Sequence, residues 1–249
     1  MELKSRLAAK EVLLGTFLKT PHPHVVEVLA TSGLDCLCLD AEHAPFDRRD
    51  LDACIFAGRA TGIATLVRTQ SSEAHHILNA LDCGANGVVV PHVRSALEAK
   101  AIAASAQYGA GGRGYAGSSR AAGYGTRAIP EHLAASAERT VLIAQIEDVE
   151  ALDDIDAIAA VEDIDAMFIG RIDLTIALGC TSPDDPKVIA AVDLIVAAAV
   201  KAGRPVGMFM GRESDVAEWQ AKGATFFLLG SDHGFMRAGA RAMREKAGL

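Results

Sequence analysis

The sequence predicts an α/β protein folded as a (β/α)8 TIM barrel over residues 1–249. Three observations carry this expectation. Short runs rich in Val, Ile, Leu, Phe or Cys alternate with Ala-rich stretches of helical period. The apolar runs are continuous rather than alternating, which suits a parallel sheet covered on both faces. Eight strand–helix units fill 249 residues, close to the roughly 250 typical of this barrel. A doubly wound open sheet is the competing architecture.

The first strand is expected at Leu13–Phe17, with a helix near His24–Ser32 and Gly33 behind it. Cys36–Leu39 follows as an unbroken apolar strand, then a helix over Arg48–Thr61 that stops at Gly62. Ala64–Arg68 is the third strand, and its helix, Glu73–Asp82, is followed by Gly84. The fourth strand, Gly87–Pro91, leads to an alanine-rich helix at Ser95–Gln107. Val141–Glu147 and Val149–Ala160 form the fifth unit, with Asp148 placed to cap the helix. Ala166–Gly170 is the sixth strand; Asp173 lies at the opening of a short helix, ahead of a longer one at Pro186–Ala202 that ends on Gly203. Val206–Phe209 with Arg212–Ala221 and Gly223, then Phe226–Gly230 with a last helix from Asp232 towards Lys246, complete the set. A glycine behind a helix supplies the positive φ of a C-cap. The stretch Tyr108–Thr126 reads as a long Gly/Ser/Arg loop, and a loop of that length is usually functional or interfacial. Its GxGxxG match, Gly109–Gly114, neither follows a strand nor opens a helix, so it is not a dinucleotide fingerprint.

Composition narrows the function classes. Lys plus Arg is 24 against 32 for Asp plus Glu, a net charge of −8. That balance lacks the cationic footprint of a nucleic-acid binder or of a polybasic membrane anchor. Aromatics at 5% leave few stacking platforms for single strands. The five cysteines, at 36, 38, 54, 83 and 180, contain no CxxC pair, so neither a disulfide framework nor a zinc ribbon is expected. No run approaches the roughly 18 apolar residues of a membrane span. The N-terminal stretch mixes both charge signs without a long apolar centre, unlike a signal peptide. A cytoplasmic location is the expectation.

In this barrel, chemistry sits at the C-terminal ends of the strands, so those ends name the candidates. After the second strand stand Asp40, Glu42 and His43. A histidine beside a carboxylate is held in one tautomer and works as a base near neutral pH. The third strand ends in Arg68, which would project into the mouth and stabilise an anion or a developing oxyanion. An ion pair with a neighbouring acid is the alternative use of that residue. On the fifth strand, period two places Gln145 and Glu147 on one face. Burying them is costly without a partner, which a metal or a substrate would supply. Glu147 and Asp173, from adjacent strand ends, offer two oxygen ligands of the kind that hold Mg2+ or Mn2+. Gly170 permits close backbone approach, and the N–H groups opening the next helix suit a carboxylate. Of the lysines only Lys19 lies just beyond a strand end, so an imine-forming lysine deep in the barrel has little support.

Together, Asp40-Ala41-Glu42-His43-Ala44-Pro45, Val67-Arg68, Leu81-Asp82-Cys83-Gly84-Ala85, Pro91, Arg113-Gly114, Gln145-Ile146-Glu147 and Phe168-Ile169-Gly170-Arg171-Ile172-Asp173-Leu174 make a set that resembles the HpcH/HpaI family of metal-dependent class II pyruvate aldolases. The resemblance runs in order along essentially the whole chain. It implies a homohexamer built as a trimer of dimers, with the C-terminal helix exchanged between subunits. It implies a divalent ion (Mg2+, Mn2+ or Co2+) on Glu147 and Asp173, chelated by pyruvate through its carboxylate and keto oxygens. Gln145, Gly170 and the backbone at Ile172 and Asp173 would contact the pyruvate. His43 would be the base, Arg68 would stabilise the transition state, Asp82 would raise the basicity of His43, and Asp40 would orient the same loop.

The implied reaction is reversible retro-aldol cleavage of a 4-hydroxy-2-oxo acid to pyruvate, or hydroxypyruvate, and an aldehyde. A malyl- or citramalyl-CoA lyase and an oxaloacetate decarboxylase share this enolate chemistry, and a non-catalytic 2-oxo acid binder is the remaining alternative. Two places depart from the family's pattern. Arg171-Ile172 stand where Pro-Ala is usual before the aspartate, and Thr69 stands where proline often follows the arginine. Arg113, Arg120 and Arg171 are candidates to meet a distal carboxylate of the substrate, or else to face solvent.

Overall fold

Eight parallel strands close on themselves in chain order in the computed structural model, which describes residues 2–248. They are β1 Leu13–Leu18, β2 Cys36–Asp40, β3 Ala64–Arg68, β4 Gly87–Val90, β5 Val141–Ile146, β6 Ala166–Ile169, β7 Val206–Met210 and β8 Phe226–Ser231. The helices are α1 Leu3–Ala8, α2 Pro23–Ala30, α3 Arg48–Thr61, α4 Ala74–Asp82, α5 Ala96–Ala106, α6 Ile129–Arg139, α7 Glu150–Asp153, α8 Ile155–Ala159, α9 Arg171–Ala177, α10 Pro186–Lys201, α11 Val216–Ala221 and α12 Asp232–Lys246. Because β8 pairs back onto β1, no sheet edge remains and the open-sheet alternative falls. Each expected strand is present with its ends within one residue. β4 stops before Pro91, which has no N–H to give to the ladder. The five glycines expected behind helices, Gly33, Gly62, Gly84, Gly203 and Gly223, all have positive φ.

The helices differ more. The expected Val149–Ala160 helix is two short ones, α7 and α8, broken at Asp154. The Asp154 carboxylate accepts the N–H of Ala96 at 2.6 Å, so it serves the start of α5 rather than its own helix. Asp148 caps nothing, because its side chain is engaged with a histidine described below. Two helices, α1 and α6, lie outside the sequence expectation. Six residues are too few for a period to stand out, and α1 is held by tertiary contact: Leu3 and Leu7 are buried in the same cluster as the barrel interior. For α6 the signals exist, with Pro130 and Glu131 in the first turn and Arg139 in the last.

Alternation along the strands decides what faces inward. The interior cluster takes Phe17 from β1, Cys36 and Cys38 from β2, Leu66 from β3, Ile143 from β5 and Phe168 from β6. The residues between them, such as Leu37, Leu39, Val67 and Leu142, pack beneath the helices. Both faces are therefore apolar, as the unbroken strand sequences require. Two residues further along, the inside turns polar. Asp40 follows Cys38, Arg68 follows Leu66, and Gln145 follows Ile143, all of them buried. Asp40 and Arg68 stand opposite each other in the β2–β3 register. The Arg68 guanidinium carbon lies 4.5 Å from the Phe17 ring centroid, and Phe17 meets Phe168 edge-on at 6.4 Å. This aromatic layer separates the packed core from a polar mouth. At the last strand, Asp232 accepts the backbone N–H groups of Lys19 and Thr20 at 2.8 and 3.0 Å. From residue 233 to 248, α12 and the residues after it are exposed, Phe235, Met236 and Met243 included. No helix among the described residues is long and apolar enough to cross a membrane.

Candidate active site

The cup at the strand ends begins with Arg68. Its Nε and Nη2 donate to Asp40 Oδ1 at 3.0 and 2.8 Å, and Nε lies 3.3 Å from Glu42 Oε2. Asp40 Oδ2 pairs with the Lys19 ammonium at 3.0 Å, which commits that lysine to a structural contact. Burial alone would raise the Asp40 carboxyl, but Arg68 and Lys19 outweigh it and hold it below the usual range. Asp40 therefore stays anionic, and Arg68, backed by Asp40 and Glu42, stays cationic despite its own burial. Asp40 Oδ1 also accepts the backbone N–H of His43 at 3.2 Å, fixing the loop that carries the histidine. The His43 ring is half exposed at the rim, with Nε2 3.8 Å from Glu42 Oε2.

Facing this group is Glu147, just beyond the end of β5. Its Oε2 accepts from Gln145 Nε2 at 2.6 Å, and its Oε1 accepts the backbone N–H of His92 at 3.0 Å. Gln145 Oε1 is buried with no hydrogen-bond partner. A Cβ on Gly170 would overlap Glu147 Oε2 and come within 2.8 Å of Glu147 Cβ, so the glycine's close approach is to this carboxylate. Gly170→Ala is expected to displace the Glu147 carboxyl and lower activity with the circular dichroism spectrum unchanged; full activity in that variant would show that the carboxyl position is immaterial. His92 follows Pro91 with a left-handed φ of 56° and swings its ring over the acids. Its Nε2 is 3.5 Å from Glu42 Oε1, and its Nδ1 bonds Asp148 Oδ2 at 2.9 Å. One ligand atom each from Glu42, His92 and Glu147 lies within 4.8 Å of the others. Burial, with the neighbouring carboxylates, pushes Glu42 up to about 7 and raises Glu147 as well. Buried anions held close together and short of counter-charge, beside an imidazole and an unpartnered amide oxygen, fit a divalent cation.

The sequence profile of the HpcH/HpaI aldolase/citrate lyase family matches residues 13–238. The chain belongs to this family. It is 35% identical over 246 residues to a 5-keto-4-deoxy-D-glucarate aldolase of Klebsiella pneumoniae, covering 98% of this chain and 95% of that one. Among solved structures, a HpcH/HpaI aldolase/citrate lyase family protein from Burkholderia cenocepacia superposes with a TM-score of 0.94 at 29% identity, over 99% of both chains. A citrate synthase superposes with a TM-score of 0.89 at 30% identity, over 99% of this chain and 97% of that one.

In this HpcH/HpaI protein the other residues singled out from the sequence are distributed as follows. Asp173 stands exposed in the first turn of α9, close enough that its charge adds to the upward pressure on Glu147. Ile172, beside it, is also exposed, and the first-turn N–H groups there have no intrahelical acceptor. Asp82 is not in the cup. It ends α4, which returns from the mouth, so it lies by the start of β4 at the opposite end of the barrel, where it is paired with Arg113. Within one chain Asp82 therefore does not meet His43, because a helix antiparallel to its strands delivers its last residue to the far end. A cavity of about 640 Å3, lined by Arg59, Arg113 and Arg139 among others, opens at that end and not at the cup. Nor do the three candidate arginines reach the cup. Arg113 is held by Asp82, Arg120 by Asp52, and Arg171 by the Pro183 carbonyl and Asp184 at 2.7 and 3.1 Å. Thr69 turns its hydroxyl to the Ser71 carbonyl at 2.9 Å.

Of the HpcH/HpaI cup, Glu42 stands among the second-strand candidates without a role of its own, in the loop beyond β2. His92 escapes the sequence reading, because the positive φ after Pro91 breaks the alternation. The acids make the site pH-dependent in a definite sense. The folded chain keeps the Glu42 proton to about pH 7, whereas the unfolded chain releases it near 4.5. Metal-free stability therefore falls as pH rises through that window. A cation would replace the proton, so Mn2+ is expected to raise the melting temperature more at about pH 8 than at about pH 6. Equal shifts at the two pH values would show that these carboxyls do not meet the ion.

Proposed function

We propose that this protein is a divalent-metal-dependent aldolase that reversibly cleaves a 4-hydroxy-2-oxo acid to pyruvate, or hydroxypyruvate, and an aldehyde. The observation that carries the reading is the juxtaposition of a buried, doubly backed Arg68 with carboxylates that lack counter-charge, at the mouth of the barrel. A divalent ion at Glu147 and Asp173 would supply a Lewis acid for the C2 keto oxygen. Gln145, Gly170 and the backbone at Ile172 and Asp173 orient the carboxylate end of the substrate. His43, on the loop fixed by Asp40, takes the C4 hydroxyl proton, directly or through a water. The C3–C4 bond then breaks, the aldehyde leaves, and its bonding pair becomes the pyruvate enolate. Arg68 cannot give up its proton, so it stabilises the enolate charge without quenching it. Reprotonation at C3 completes pyruvate. Asp82 reaches His43 only from a second subunit, in keeping with a homohexamer in which the exposed α12 is the exchanged segment.

The relative named above makes 5-keto-4-deoxy-D-glucarate the first substrate to try; counted from its 2-oxo acid end this diacid carries a C4 hydroxyl, and cleavage of its C3–C4 bond gives pyruvate and a hydroxylated three-carbon aldehyde acid. The test is to incubate the enzyme with metal and this diacid, and in reverse with pyruvate or hydroxypyruvate against an aldehyde panel, reading products by mass. Chelation should abolish turnover, and borohydride should trap no pyruvate adduct, since Lys19 is tied to Asp40. Turnover that survives exhaustive chelation would overturn the metal reading. The similarity to a citrate synthase favours one further arm, acyl-CoA substrates with oxaloacetate; activity there alone would reassign the chemistry.

A further inference from the structure

We propose that the cavity at the N-terminal end of the barrel is a second binding site, for a small oxyanion of two negative charges: a phosphoryl group or a pair of carboxylates. It is separate from the cup and does not depend on the chemistry proposed there. The chain carries a net charge of −8. Yet this cavity of about 640 Å3 is lined by Arg59, Arg113, Arg127 and Arg139 against a single carboxylate, Glu2. The four arginines come together from α3, from the long connection between α5 and α6, and from the end of α6. Two of them have an acid. Arg113 gives its Nη2 to Asp82, and Arg139 Nε stands 3.6 Å from Glu2 Oε1. Arg59 and Arg127 have neither an ion-pair nor a hydrogen-bond partner for their side chains among the described residues. Two positive charges are thus left uncompensated, which matches a dianion.

Buried polar groups give independent support. The Arg113 side chain is 2% exposed, and its Nε has no partner. His132, buried on the same lining, has no partner for Nδ1, its other ring nitrogen being 3.1 Å from the Tyr108 hydroxyl. Unpaired buried groups of this kind are costly, and two on one cavity wall call for a ligand. The Arg113 guanidinium carbon lies 4.7 Å from the Tyr108 ring centroid, so its position is set in advance. Burial, with the charges of Arg113 and Arg127, lowers the His132 imidazole, which places both cations beside the ring. Arg59 and Arg139 stand in the last turns of α3 and α6, where carbonyl ends attract cations. That attraction does not extend to Arg113 and Arg127, which lie on no helix. Guanidinium groups meeting at one cavity suit phosphate or carboxylate oxygens, which accept their paired N–H donors.

The test titrates the full-length protein, with no metal added, with inorganic phosphate and separately with succinate, against chloride at matched ionic strength. Calorimetry is expected to give one saturable site per chain. The melting temperature should rise with the bound anion, and the His132 imidazole signals should move in the nuclear magnetic resonance spectrum. Saturable binding of phosphate alone assigns a phosphoryl ligand, and of succinate alone a dicarboxylate; either supports the site. Arg59→Gln and Arg127→Gln, which break no pair of the folded chain, should each weaken binding about tenfold or more. Arg49→Gln, at the exposed start of α3, and Arg68→Lys, in the cup, should leave it unchanged. Binding that is lost in Arg68→Lys but kept in Arg59→Gln and Arg127→Gln overturns the inference by placing the anion in the cup. Absence of saturable binding for both anions overturns it as well. An assembly that dissociates in Arg59→Gln or Arg127→Gln, with no anion bound by the wild type, overturns it by giving the cavity to a neighbouring copy of the chain.

Discussion

Arg68→Ala is expected to lower turnover by about 10²–10³, the usual loss when one stabiliser of a developing oxyanion is removed. The residue is buried against the Phe17 ring, and its guanidinium is oriented by two bonds to Asp40 Oδ1. Its charge is therefore in place before substrate arrives, in surroundings where it is poorly screened. The same burial gives the substitution a structural cost. Asp40 would keep Lys19 as its one remaining counter-charge, and breaking a buried pair typically destabilises by about 3–5 kcal/mol. Arg68→Lys separates the two effects. It retains a positive charge for Asp40, so most of the stability should return, but a lysine cannot reproduce the bidentate fork, so most of the turnover should not. A folded Arg68→Ala protein with the wild-type rate would remove Arg68 from the chemistry.

Glu147→Gln carries the second large effect. The amide keeps the shape and can still accept the His92 N–H, but it loses the charge that would hold a cation. If the ion contributes about 4 kcal/mol of Lewis-acid stabilisation, turnover falls roughly a thousandfold, and excess Mn2+ does not restore it. Stability should move the other way. Burial raises the Glu147 carboxyl, so its ionised form opposes folding above the unfolded carboxyl range. Removing that charge should leave the metal-free melting temperature at neutral pH equal to wild type or higher. Wild-type metal affinity in Glu147→Gln would exclude it as a ligand.

The cup was largely readable because strand period and barrel topology are simple rules. Asp40, Arg68, Gln145 and Glu147 each sit on the inward phase at or just beyond the C-terminal end of an apolar strand, where Arg68 bonds Asp40 and Gln145 bonds Glu147. Gly170 was readable as a close approach, though the partner it admits is Glu147. Where reading failed, periodicity had stopped. His92 hangs on a left-handed turn after a proline, and Asp148 turned to it instead of capping a helix. Asp82 could not be placed for a different reason: its motif names a residue type but not an end of the barrel, and α4 carries it away from the mouth of its own chain.

The sequence alone determined the eight-fold alternation, the apolar inside and outside of every strand, and the residue types at the strand ends, since these follow from local period and composition. Tertiary structure alone decided which charges compensate one another. Lys19 and Arg68 neutralise Asp40, three arginines are spent on outlying acids, and Glu42 and Glu147 are left facing His92 without enough positive charge. Coulomb interactions depend on distance and burial, and neither is fixed until strands far apart in the chain close into one ring.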